Sequence, residues 1–349
     1  MTASNAAEKT LYSFHGGSDG GNPEGALISD SSGNLYGTTY YGGNNTCFGE
    51  TCGTVYKLAP DGTETVLYAF TGAADGGNPA STLVQDSSGN LFGTTKAYGP
   101  DDYGTIFEIG SGGSETTLYT FLDTNVGVGP VGNLVMDPSG NLFGVTFGGG
   151  KKPACCGVIY ELQSNGTLNV LYEFKGRNDG NYPQNLTSDG AGNLYGVTLE
   201  GGGYSACVSQ SQYCGTVFRY SAASGETVLH AFEGGNDGSN PAGMLVIDKA
   251  GNLIGTTQQG GNNGCNGYGC GTVFKISSDG TESILHAFHG SDGAYPYGGV
   301  IIDNAGNLYG TTNAGGRGCR HQGCGTVFKL APDGTETTLA NLNRHSGDG

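Results

Sequence analysis

Tryptophan is missing from this chain, methionine occurs three times, and only 13% of the residues are charged. So low a charged fraction argues against a solvated, disordered polymer. Lysine and arginine total 14 against 31 acidic residues, for a formal net charge of −17. That supply of cations does not build the basic face of a nucleic-acid binder, and it disfavours anionic membranes as partners. No apolar run of about 18 residues exists, so no transmembrane helix and no membrane insertion are expected. Residues 1–10 are polar and lack the apolar stretch of a secretory leader. If the protein is exported, they read as the start of a mature region carrying a new initiator methionine, its signal peptide already gone.

What is abundant is glycine, at 69 of 349 residues, without the Gly-X-Y period of collagen. A hydrophobic fraction of 36% suits many short strands joined by glycine-rich turns. The phrase Gly-Asn-Leu-aromatic-Gly-Thr-Thr begins at Gly33 and returns, with variation, at Gly89, Gly140, Gly192, Gly251 and Gly306. Six copies at intervals of roughly 50–60 residues are too long for a solenoid rung and right for a four-stranded propeller blade.

Each unit reads as four strands. The first ends in aspartate, as at residues 25–30, and a tight Asp-x-x-Gly-Asn turn leads into the second. The third starts at Gly53, Gly104, Gly157, Gly215, Gly271 or Gly325. A Pro-Asp-Gly-Thr turn such as residues 60–63 opens the fourth. The aspartates before the Gly-Asn turns (Asp30, Asp86, Asp137, Asp189, Asp248, Asp303) look catalytic but are better read as caps of their own turns. The fourth strand has a surplus copy at residues 8–14, where Leu11, Tyr12 and Phe14 fit the pattern better than the C-terminal copy at residues 336–342. One terminal copy closes the ring, and the surplus one lies as a fifth strand, stays loose, or pairs with a sister molecule.

With these motifs in hand, the chain resembles the Gloeo/Verruco (GloVer) tandem repeat of bacterial extracellular proteins. The likeness runs through "GNLYGTT", "GTVFKL", "PDGTET" and the Asp-Gly-x-x-Pro linker, over roughly residues 8–342. It implies a β-propeller and export, and it brings no established activity. The layout is also similar, at fold level only, to propellers of the NHL and gluconolactonase kind.

The ten cysteines come in five pairs between second and third strands: Cys47/Cys52, Cys155/Cys156, Cys207/Cys214, Cys265/Cys270 and Cys319/Cys324. The second repeat, at residues 96–103, has neither member. Both-or-none behaviour predicts disulfides within each pair, hence an oxidising, extracellular or cell-surface setting. The pairs are spread too far around a ring of hairpin loops to share a zinc ion. Adjacent Cys155 and Cys156 would form a strained vicinal bond.

The search for chemistry yields less. His230 and His286 occupy a slot held elsewhere by Tyr12, Tyr68, Tyr119 and Tyr172, and read as packing variants. Residues that break the repeat, such as Lys96, Asp101, Asp102, Lys151, Lys152, Arg317, Arg320 and His321, are dispersed over loops of one type. The linker pattern Asp-Gly-x-x-Pro places Asp19, Asp75, Asp179, Asp237 and Asp292 around one mouth of the channel, with Asp123 the variant of the third repeat. Carboxylates so placed are candidate Ca²⁺ ligands; a turn reused for its geometry is the simpler reading. Tyr41, Tyr98, Tyr204 and Tyr268 fall in loops and are candidate ligand contacts, because aromatic faces stack on sugars.

The expectation is therefore an all-β, six-bladed β-propeller of four antiparallel strands per blade, its ring closed by a terminal strand. It forms one domain over residues 1–349, with loose ends at 1–7 and 343–349. The expected function is a secreted, non-catalytic module presenting disulfide-tied loops to a glycan, a protein or sister subunits. A secreted hydrolase or lactonase with a metal site at the channel mouth and a lectin-like glycan binder are the alternatives.

Overall fold

The computed structural model describes residues 9–47, 49–151, 156–176, 178–203, 214–262, 264–317 and 324–342. Two units make up the chain, Leu11–Phe174 and one built on Lys175–Gly349. Among the described residues each holds three sheets of four or five antiparallel strands that follow sequence order from one edge to the other, and the first unit also holds the two-stranded pair Thr46–Cys47 and Glu50–Thr51. Blade one consists of Ile28–Ser29, Leu35–Thr39, Thr54–Leu58 and Glu64–Ala69. In blade two the first strand is broken, and both Gly77–Pro79 and Val84–Gln85 pair with Leu91–Ala97. Blade three runs from Val128–Met136 to Leu168–Glu173. The second unit repeats the scheme at Asn181–Ser188 to Gly225–Ala231, Ser239–Ile247 to Glu282–Ala287, and Ile301–Ile302 to Glu336–Asn341. Among the described residues, helix is confined to the 3₁₀ turns Thr124–Val126 and Cys265–Gly267.

Short-range hydrogen bonds make the hairpins. The Asp30 carboxylate accepts the N–H of Ser32 and of Asn34, both at 2.9 Å, and the Asn34 side-chain amide at 2.7 Å. Asp86, Asp137, Asp189, Asp248 and Asp303 cap their turns in the same way. The invariable glycine of the second strand has a steric cause. A Cβ on Gly37 would stand 2.7 Å from the Tyr56 hydroxyl, because the third-strand ring lies across it.

Neighbouring blades within a unit are joined by a ladder of rings. The phenylalanine ending one fourth strand meets the third-strand aromatic of the next blade edge-on: Phe70 on Phe107 at 5.0 Å, Phe121 on Tyr160 at 5.5 Å, Phe232 on Phe274 and Phe288 on Phe328 at 5.1 Å. Such edge-to-face pairs contribute about 0.5–1.5 kcal/mol beyond their burial.

The linkers add a latch. Asn78 and Tyr295 precede a proline yet hold positive φ, at 54° and 57°. Asparagine adopts this left-handed conformation readily; tyrosine does so at a cost. The turned N–H is what the conformation supplies, since Asn78 donates to the Cys52 carbonyl and Tyr295 to that of Cys270, both at 2.8 Å. The proline then rests on the glycine opening the preceding blade's third strand, with no room for a Cβ at Gly53 beside Pro79 or at Gly271 beside Pro296.

The surplus N-terminal copy joins no sheet: Leu11, Tyr12 and Phe14 form no strand. The sixth sheet is completed by Glu336–Asn341 paired with Thr326–Leu330. The N-terminal copy instead occupies the station of a preceding fourth strand by side-chain contact. Phe14 meets Tyr56 edge-on at 4.9 Å, and Tyr12 donates to Asp19 at 3.1 Å as Tyr68 does to Asp75 at 3.0 Å.

Candidate functional site

The antiparallel order sends both turns of a blade to one end, and sends its cysteine loop and outgoing linker to the other. In blade one Cys47 and Cys52 are joined, as are Cys265 and Cys270 in blade five. These bonds lie inside rather than at an exposed tip: Cys47 is 3% exposed and Cys52 and Cys270 not at all. Asn45, within the loop, donates its amide to the carbonyls of Ala69 and Phe70, which fastens the loop to the linker leaving its own blade. Cys156, Cys214 and Cys324 are also disulfide-bonded. Cys155, Cys207 and Cys319 lie outside the described residues, and so does the expected vicinal bond.

The linker aspartates are turned inward on their own segments. Asp75 accepts the Thr71 N–H and hydroxyl besides the Tyr68 phenol. Asp19 accepts from His15 and Tyr12, and Asp179 from the Lys175 N–H. His230 reaches Asp237 at 3.1 Å and His286 reaches Asp292 at 3.0 Å, so these histidines do replace the repeated tyrosine. Burial pushes the Asp292 carboxyl up, but bonds from His286 and the His289 N–H outweigh it and the net shift is downward. Among the described residues, no three His, Cys, Asp or Glu side chains gather as ion ligands. Of the repeat-breaking residues, Lys96 is set over the Phe147 ring of blade three at 5.9 Å and Asp102 accepts the Tyr98 N–H, while Lys152, Arg320 and His321 lie outside the described residues.

One cluster does converge. Tyr40 and Tyr41 follow the second strand of blade one and pack edge-on at 4.7 Å. Tyr98, from blade two, takes a left-handed conformation, φ 62°, held by its N–H donating to Asp102 at 2.7 Å. Its ring packs on the core cluster that contains the Cys47–Cys52 bond. The Tyr40 hydroxyl is pushed up by burial and then by the neighbouring Tyr41, Glu24, Tyr98 and Glu50. Tyr98 is pushed up by burial and by Glu50, Asp102 and Tyr41. Three phenol rings and two carboxylates thus share one neighbourhood. Asn22 orients Glu24 through a 2.8 Å bond, Glu50 sits on the Glu50–Thr51 strand of the disulfide loop, and Asn78 ties the Tyr40 carbonyl to blade two at 2.9 Å.

Tyr41 and Tyr98 are therefore brought together, while Tyr268 is half exposed on the Cys265–Cys270 loop of the other unit and Tyr204 lies outside the described residues. Sequence reading missed Glu24 and Glu50. The available signal was a glutamate directly after the linker proline, where other blades carry no acid.

The Gloeobacter/Verrucomicrobia repeat matches residues 1–209 and 204–349. No curated protein sequence matches the chain. Among solved structures, a streptogramin B lyase is similar at 14% identity, over 91% of this chain and 83% of that one, with a TM-score of 0.59. A virginiamycin B lyase from Staphylococcus aureus is similar at 13% identity, over 91% and 84%, with a TM-score of 0.56. A GH74 enzyme from Niastella koreensis is similar at 17% identity, over 88% and 45%, with a TM-score of 0.56. At these identities the likeness shows the fold alone, a β-propeller of six four-stranded blades.

Proposed function

We propose, from the premise that the chain belongs to the Gloeobacter/Verrucomicrobia repeat family, that it is a non-catalytic extracellular module whose blade-one and blade-two loops bind neutral carbohydrate. The observation that carries this reading is the edge-on pair Tyr40–Tyr41 with Tyr98, whose ring packs on the core around the Cys47–Cys52 bond, within reach of the Glu24 and Glu50 charges. Tyrosine presents a large, rigid, amphipathic face at low entropic cost, suited to the C–H face of a sugar ring. The carboxylates accept its hydroxyls in charge-assisted hydrogen bonds. A net charge of −17 favours neutral over anionic glycans. The buried disulfides support an oxidising setting, and among the described residues no helix is long and apolar enough to cross a membrane.

The test is calorimetric titration with neutral oligosaccharides chosen from a glycan array. Tyr41→Ala, at the surface, should weaken binding at least tenfold while the melting temperature holds; Tyr98→Ala should weaken binding as much and also lower the melting temperature, because its ring packs on the core. An array without a neutral hit, or hits indifferent to both substitutions, would end the proposal.

A further inference from the structure

The second strand of each blade carries a ring just before its glycine: Tyr36, Phe92, Phe143, Tyr195 and Tyr309. Blade five alone breaks the rule, with Ile254. Elsewhere the tyrosines act as an internal ligand. Tyr36 donates its hydroxyl to Asp30 at 3.0 Å, Tyr195 to Asp189 at 3.4 Å and Tyr309 to Asp303 at 3.1 Å. Each acceptor is the turn aspartate of the same blade. In blade six the ammonium of Lys329, the register partner of Tyr309, stands 5.9 Å from the ring centroid.

At blade five the other parts of this arrangement remain. Asp248 caps its turn through Ala250 and Asn252, with no phenol on its carboxylate. Lys275 is the register partner of Ile254, as Lys329 is of Tyr309. Beside Ile254 there is a cavity of about 500 Å³, with apolar walls that include Leu285, Ile302 and Leu330 and a polar lining of Asp248, Lys249 and Lys275 from blade five and Asp303 and Asn304 from blade six. Lys249 spans the boundary of the two blades by donating to the Asn304 carbonyl at 3.0 Å. The volume lies in the range of small-molecule sites and exceeds one ring.

We infer that this cavity is a binding site for a substituted phenol, which supplies in trans the side chain that blade five lacks. The ring lies between the apolar walls under the Lys275 ammonium, a cation–π arrangement. The phenol O–H donates to the Asp248 carboxylate, and the substituent fills the remaining volume. The site is in the second unit and independent of the tyrosine cluster of the first.

The experiment compares 4-ethylphenol with ethylbenzene by calorimetry and thermal shift on the intact chain. The phenol should bind at least tenfold more tightly than ethylbenzene. Ile254→Tyr restores the internal ring, so this variant should melt higher than the parent and lose its response to 4-ethylphenol. Lys275→Met keeps the wall and removes the charge; it should weaken the phenol several-fold and leave ethylbenzene unchanged, and it serves should Ile254→Tyr fail to fold. Equal affinity for the two probes, no phenol binding at millimolar concentration, or an undiminished response in either variant would overturn the inference.

Discussion

Tyr160 shows how a repeat tolerates a local mismatch. Its ring is wholly buried at the third-strand station, where blades two, four, five and six place phenylalanine. Its hydroxyl has no hydrogen-bond partner among the described residues, and burial pushes its ionisation well up. An unsatisfied buried hydroxyl costs about 1–3 kcal/mol. Tyr160→Phe should therefore stabilise the protein by about 1 kcal/mol, read as a higher midpoint in urea. The turn aspartates give an acid limit. Asn34 and Asn307 side-chain amides, helped by backbone N–H groups and the Tyr36 and Tyr309 hydroxyls, hold Asp30 and Asp303 down at about 2 against the opposing effect of desolvation. A carboxyl depressed when folded contributes stability above its ordinary pKa near 4 and loses it as pH falls towards 2. The melting temperature should accordingly fall between pH 4 and 2, and less so in an Asp30→Asn, Asp303→Asn double variant. These caps were legible in the sequence because donor and acceptor lie within four residues of each other.

At the scale of the element, the cysteine loop is a fastening between blades. The carbonyl of Cys52 receives the Asn78 N–H, so fixing the loop fixes an acceptor for the next blade. Closing so short a loop is worth about 2 kcal/mol in the chain-entropy account. A Cys47→Ala, Cys52→Ala variant should lose at least that in urea unfolding. Blade two manages without sulfur, holding its loop by the Asp102 bond to the Tyr98 N–H and by the Gly104 N–H on the Tyr98 carbonyl. The pairing of Cys47 with Cys52 was readable because the two recur together. The fate of residues 11–14 was not, since a copy count says nothing about whether backbone groups find a strand to pair with. Phe14 kept its ring contact with Tyr56 while the ladder bonds went unmade.

For the whole molecule, six repeats of one phrase announced six sheets, because each hairpin is decided by its own glycines and caps. The tyrosine cluster escaped that reading. Glu24, Tyr40, Glu50 and Tyr98 belong to four segments that meet only once blades one and two stand side by side. The linker carboxylates, spaced as if for an ion, each accept hydrogen bonds within their own turn. Millimolar calcium should leave the melting temperature unmoved, whereas a rise of several degrees would support a metal role for Asp19, Asp75, Asp179, Asp237 or Asp292.

The ladder of rings bears on how such a chain grows. Phe70 meets Phe107 edge-to-face, and Phe121 meets Tyr160 in the same way. A blade thus offers downstream the same chemistry it consumes upstream. An in-frame duplication of one repeat would find both of its ring seams already complementary.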